Sequence, residues 1–122
     1  MSMPISEYQH ISYKNVDGVA VVNFMETVAM FDSDKVREVG TELLDLVETK
    51  RYKKLLLNLS NARFISSAML AHLVKLHRQV QETKGKIRLC CLRPVIMDAF
   101  KVSNFDRLFE IFPDEAAALK KF

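Results

Sequence analysis

The chain has 122 residues, 49% hydrophobic and 27% charged, with 18 basic against 15 acidic residues and a formal net charge of +3. That length suits one domain, 1–122, with enough apolar surface for a core that needs no staples. The small basic excess forms no stripe of the kind nucleic acid demands, and no apolar run approaches a membrane span.

Residues 1–9 read as a loosely ordered lead-in. Met1–Glu7 has neither the charged nor the apolar region of a signal peptide, which points to a cytoplasmic protein. Ile11 and Tyr13 alternate with Ser12 and Lys14, the period of a strand. Asn15-Val16-Asp17-Gly18 is a turn signal, and Val19–Phe24 reads as a second, more central strand of an antiparallel hairpin. Asp32-Ser33-Asp34 opens an amphipathic helix with Val36, Val39, Leu43, Leu46 and Val47 on its apolar stripe, ending near Thr49-Lys50-Arg51. Gly40 inside it is expected to allow close packing on the sheet.

Leu55–Leu59 is a continuous apolar run and reads as a buried strand. A second helix starts near Ser67, with Met69, Leu73, Leu76 and Val80 in one row. Gly85 is expected as its left-handed C-terminal residue. Ile87–Leu92 is a strand, Pro94 opens a short helix carrying Ile96 and Phe100, and Leu108–Phe112 is the last strand. Pro113-Asp114-Glu115 begins a final helix. The order β-β-α-β-α-β-α-β-α predicts an α/β fold with a mixed, mostly parallel sheet, an antiparallel N-terminal hairpin and about four helices.

Enzyme motifs are largely excluded. The chain has no Gly-rich phosphate loop, no nucleophile elbow and no visible nucleophile–base–orienter set. His72 and His77 are five apart on a helix and do not share a face, and His10 lies near the lead-in; all three read as surface or boundary residues rather than metal ligands. The two cysteines, Cys90-Cys91, are expected on opposite faces of a strand. Adjacent cysteines bridge only with strain, so no disulfide framework is expected, in keeping with a reducing compartment. The Ser66-Ser67 pair at a helix entrance remains. A serine there can cap orphan N–H groups, and the same place suits a phosphate, which would meet the positive end of the helix dipole. Periodicity leaves both roles open.

Leu57-Asn58-Leu59-Ser60-Asn61-Ala62-Arg63-Phe64-Ile65-Ser66-Ser67-Ala68-Met69-Leu70 resembles the signature of STAS domains, in particular bacterial anti-sigma-factor antagonists. The resemblance runs from about Ile11 to the C-terminus. It includes Asp32 after Met30-Phe31, Gly85 before the fourth strand, and Leu92-Arg93-Pro94 leading to Phe100. It implies the STAS fold and a non-enzymatic regulator with no cofactor of its own. Such a protein binds an anti-sigma factor, often a serine kinase using Mg-ATP, and so frees a sigma factor for transcription. The kinase phosphorylates the antagonist and ejects it, and a cognate phosphatase resets it. By this resemblance the phosphoacceptor is Ser67, with Ser66 the alternative. Asp32, Ser33, Ser66 and Met69 would form the docking surface, and Phe64 and Ile65 would anchor the turn in the core. Ser66 stands where the family has Asp, and Met69 and Ala71 where it often has Gly. The alternatives are a constitutive, unphosphorylated STAS interaction module and a small-molecule or nucleotide-sensing STAS domain. Oligomeric state is left open.

Overall fold

Five strands and four helices form in the expected order in the computed structural model, which describes residues 8–25 and 33–122, without the side chain of Ser33. β1 (Ile11–Val16) and β2 (Val19–Phe24) make the antiparallel hairpin, turned by Asp17 and Gly18 at positive φ of 52° and 86°. α1 (Ser33–Glu48), β3 (Lys54–Asn58), α2 (Ser67–Glu82), β4 (Lys86–Cys90), α3 (Pro94–Val102), β5 (Glu110–Phe112) and α4 (Glu115–Leu119) follow. The sheet order is β1-β2-β3-β4-β5, and every pair after the hairpin is parallel. Parallel pairing sends the carboxyl ends of β2, β3, β4 and β5 to one edge, where the loops that enter the helices collect.

The period of two divides the strands between two faces. Ala20, Val22, Phe24, Leu55, Leu57, Ile87 and Leu89 join the cluster that contains Val39, Leu43 and Leu46 of α1 and Leu73, Leu76 and Val80 of α2. Ile96 and Phe100 of α3 belong to it as well. Each Val, Leu, Ile or Phe among them contributes about 1.5–3 kcal/mol of burial, the term that sets against backbone ordering. On the opposite face Val19, Val21, Leu56 and Cys90 meet Ala118 of α4, with Phe112, Leu119 and Phe122 packed at the margin. This second layer explains why β2 and β3 are apolar at nearly every position.

One charge lies inside the second layer. Arg88 is only 7% exposed. It donates to the carbonyls of Ala118 (2.9 Å), Lys120 (2.8 Å) and Lys121 (3.2 Å), and pairs with Glu110 (3.0 Å). The rings of Phe112 and Phe122 face its guanidinium, with centroids 4.9 and 4.7 Å away. A buried guanidinium needs this many partners to offset its desolvation.

Several local expectations change. Gly40 does allow a close approach, but of α2 rather than the sheet: a Cβ there would lie 2.5 Å from His72 Nδ1. The left-handed residue after α2 is Lys84 (φ 61°), not Gly85. Gly85 lacks a side chain for another reason, since its Cβ would sit 2.1 Å from the Lys53 carbonyl oxygen. β5 is shorter than expected, because Asn104 at φ 61° starts a 3-10 turn over Phe105–Arg107 that consumes the residues before it. His10 and His77 are buried rather than superficial. His10 Nε2 meets Glu38 at 2.6 Å, and the His77 ring stacks edge-on to Phe109 at 5.2 Å. Tyr8 and Gln9 of the lead-in are held on α1: the Tyr8 hydroxyl donates to Asp45 (2.6 Å) and the Gln9 N–H to Glu42 (2.9 Å). Residues 1–7 lie outside the described residues. Among the described residues no helix is long and apolar enough to cross a membrane.

Candidate functional site

The segment from β3 to α2 is braced by neighbours on both sides. Asn58 closes the strand with a local turn, its Oδ1 accepting from Ser60 N–H (2.9 Å) while its amide donates to Glu115 of α4 (2.7 Å). Such side-chain-to-backbone bonds two residues on are the usual device for leaving a strand. Leu59 and Ala62 are fully buried, and Leu59 N–H donates to the Cys90 carbonyl (3.0 Å). Asn61 donates to the Phe24 carbonyl at the end of β2 (2.8 Å). Arg93, just before α3, donates to the Ser60 carbonyl (3.0 Å). The end of β2 and the segments after β3 and β4 are thereby tied together.

At the helix entrance the two serines take different positions. Ser66 is the N-cap: at φ −83° and ψ 162° its Oγ accepts the Met69 N–H at 3.1 Å. Ser67 is the first helical residue and is exposed. Ala68 and Ala71 are exposed beside it. The first turn of α2 contains no acidic residue, and Arg63 and Arg93 are exposed on the adjoining loops. With the Met69 N–H capped by Ser66, the other first-turn N–H groups and the positive end of the helix dipole favour negative charge here.

The sequence-based site is only partly assembled by the fold. Ser66 and Ser67 stand together as expected. Met69 is corrected: it is 0% exposed, on the same buried row as Leu73, and presents no surface to a partner. Phe64 is also corrected, being 59% exposed beside the serines rather than anchoring the core. Of Phe64 and Ile65 only the latter packs against the core, where Ala62 of the same turn is fully buried. Ser33 begins α1, and Asp32 lies outside the described residues. The Arg93 brace was not foreseen; the only sequence signal was its place immediately before the proline of a helix start.

Other titratable groups do not converge on the serines. Among the described residues no group of three or more His, Cys, Asp or Glu side chains could hold a metal ion. Burial lowers the pKa of His77, partly opposed by its hydrogen bond to the Leu108 backbone. The Tyr8 hydroxyl, followed by Thr49, holds Asp45 below the usual carboxylate range. Both groups support packing around α1 and α2.

An open α/β sheet is thus covered by α1, α2 and α3 on one face and α4 on the other, with a serine pair at the helix entrance after β3. The chain belongs to the STAS domain family, whose profile matches residues 10–118. It is 25% identical over 112 residues to BtrV of Bordetella bronchiseptica, which bears the name of an anti-sigma factor antagonist; the match covers 92% of this chain and 93% of that protein. A crystal structure from Thermotoga maritima, described in the same terms, aligns with a TM-score of 0.83 at 21% identity, covering 91% of this chain and 92% of that one. The phosphorylated form of the Bacillus cell-fate determinant SpoIIAA aligns with a TM-score of 0.66 at 15% identity, covering 88% and 96%. At these identities the two structures establish the shared fold.

Proposed function

We propose that this protein is an anti-sigma-factor antagonist switched by phosphorylation of Ser67. In the unmodified state it docks on an anti-sigma factor through the surface formed by Ser66, Ser67 and the exposed Phe64, with Asp32 and Ser33 as further docking residues by the family resemblance. The partner, acting as a serine kinase with Mg-ATP, transfers a phosphoryl group to the Ser67 hydroxyl and is ejected by the new charge. A cognate phosphatase restores the docking surface. The protein itself is not an enzyme in this scheme, and its place of action is the cytoplasm.

The observation that carries this reading is the separation of roles between the serines. Ser66 Oγ is engaged in capping, whereas Ser67 is exposed one residue later, over unsatisfied first-turn N–H groups. A phosphate at Ser67 adds roughly 1.5–2 negative charges where the helix dipole favours them, so modification need not unfold α2. The names carried by BtrV and the Thermotoga protein support an anti-sigma factor as the partner class.

The test is intact mass of the protein isolated from its native cells, with and without phosphatase treatment, followed by peptide mapping. One phosphate is expected on Ser67, absent from Ser67→Ala and retained in Ser66→Ala. Phosphate on Ser66 alone would overturn the assignment. A protein that is never phosphorylated while bound and released by its partner would instead be a constitutive interaction module.

A further inference from the structure

We propose that Cys90 and Cys91 form a reversible two-electron thiol switch, closed by hydrogen peroxide or an organic hydroperoxide into a disulfide between neighbouring residues. Strand geometry would have sent the two side chains to opposite faces. The backbone prevents this. Cys91 leaves β4 in a left-handed conformation, φ 63°, which a side chain bearing a Cβ adopts only under constraint. The constraint is visible on both sides: Cys90 C=O accepts from Leu59 N–H at 3.0 Å, and Cys91 N–H donates to the Phe112 carbonyl at 3.3 Å. Both sulfurs thus turn toward the α4 side of the sheet, 3.6 Å apart, with the Cys91 thiol donating to Cys90 Sγ.

The two thiols differ in access. Cys90 is fully buried beside Val21 and Leu56, whereas Cys91 is partly exposed. Burial, then the contact with Cys91 and the nearby acids of α4, pushes the Cys90 thiol far up and keeps it protonated. Cys91, the partly exposed sulfur, is the one that meets the oxidant. Its thiolate attacks one oxygen of hydrogen peroxide, the O–O bond breaks, and hydroxide leaves to become water, giving a sulfenic acid. Cys90 Sγ, 3.6 Å away, then attacks Cys91 Sγ while its proton passes to the departing sulfenic hydroxyl, which leaves as the second water, so the buried thiol reacts without ionising beforehand. Two thiols and one peroxide yield one disulfide and two waters, the sulfurs oxidised and both peroxide oxygens reduced.

Adjacent Cα atoms are about 3.8 Å apart, below the roughly 4.4–6.8 Å at which disulfides are relaxed. Strained bridges are the labile ones, so the bond is readily reopened by a dithiol. The switch is independent of serine phosphorylation, although the Leu59–Cys90 hydrogen bond places it one strand from the helix entrance.

The chain has only two cysteines, so the readout is unambiguous. Purified full-length protein is exposed to equimolar hydrogen peroxide, denatured, treated with N-ethylmaleimide and weighed intact. The expected product is a monomer lighter by two hydrogens that takes up no maleimide and recovers two thiols with dithiothreitol. Cys90→Ser is expected to stop at the sulfenic acid and to be trapped by dimedone, which wild type escapes by closing the bridge. Dimedone trapping in wild type to the same extent as in Cys90→Ser would overturn the proposal. So would covalent dimers as the main product, or two maleimides still entering after peroxide.

Discussion

Two adjacent hydroxyls divide the entrance of α2 between them, and their substitutions have separable effects. Ser66→Ala removes the acceptor for the Met69 N–H and is expected to cost about 1 kcal/mol in urea unfolding. Ser67→Asp places a carboxylate in the first turn, where no acid now stands, and is expected to raise stability by about 0.3–1 kcal/mol. The same Ser67→Asp substitution is expected to weaken binding to the anti-sigma partner in a titration. Equal affinity with raised stability would separate a helix effect from charge ejection and sink the latter. That a helix begins here was readable from serines preceding an apolar row. Which serine caps was not, because a boundary shift of one residue exchanges their roles. Met69 was readable: its row with Leu73, Leu76 and Val80 was already the buried row, and periodicity predicted its surroundings better than the family's glycine did. The outward turn of Phe64 had no counterpart in the local pattern, since an aromatic beside an isoleucine looks equally suited to the core.

The joint between α2 and β4 depends on a contact from a third element. Gly85 N–H reaches back to the Val80 carbonyl at 2.9 Å, and Lys86 N–H then bonds the Lys53 carbonyl at 2.7 Å ahead of β3. A methyl group at residue 85 would collide with that same carbonyl, a backbone atom that cannot swing away. Gly85→Ala is accordingly expected to destabilise by about 1–3 kcal/mol. Lys84→Gly is expected to stabilise by about 0.5–1 kcal/mol, because it relieves a left-handed lysine worth roughly 1–2 kcal/mol and returns part of that as unfolded-state entropy. Paired denaturation curves of the two variants check both signs. A glycine after a helix is a good sequence marker of the helix end. Its conformation was misassigned because the requirement comes from Lys53, far away in sequence, and no local rule sees that carbonyl. β5 was overextended for a related reason: Leu108 and Phe109 suit a strand by composition, but the turn begun at Asn104 claims them first.

At the scale of the whole molecule, the order of elements sufficed to predict the hairpin and the parallel pairing, since both follow from connection lengths and crossover handedness. The second apolar layer was harder to read. It depends on α4, whose five residues show almost no periodicity, and on Arg88, a charge in the middle of a strand. Burial of His77 gives the fold a pH dependence. Its folded pKa lies below the ordinary histidine value of 6.5, so the folded state resists the proton that the unfolded chain accepts. This contribution is fully present above about pH 6.5 and declines as pH falls through the lowered folded value. The denaturant midpoint should therefore fall as the pH is lowered from neutrality, and His77→Phe, which keeps a ring against Phe109, should flatten the slope. An unchanged slope in that variant would assign the dependence to another group. Asp45 acts in a lower window: its depressed carboxyl loses its contribution only as pH falls below about 3.8.

Arg88 has a kinetic consequence. A helix of five residues has no persistence of its own in water. α4 is held by the packing of Ala118, by the Asn58–Glu115 bond, and by one guanidinium that holds the carbonyls of Ala118, Lys120 and Lys121 beside two phenylalanine rings. Detaching those few bonds is a smaller fluctuation than separating α1 or α2 from the sheet, so amide exchange is expected to be faster on the α4 side. Such breathing would wet Val21, Leu56 and Cys90 while leaving the serine-bearing helix seated on the other side of the sheet. The lifetime of the Arg88 clasp thus sets how often the deeper sulfur is seen by solvent.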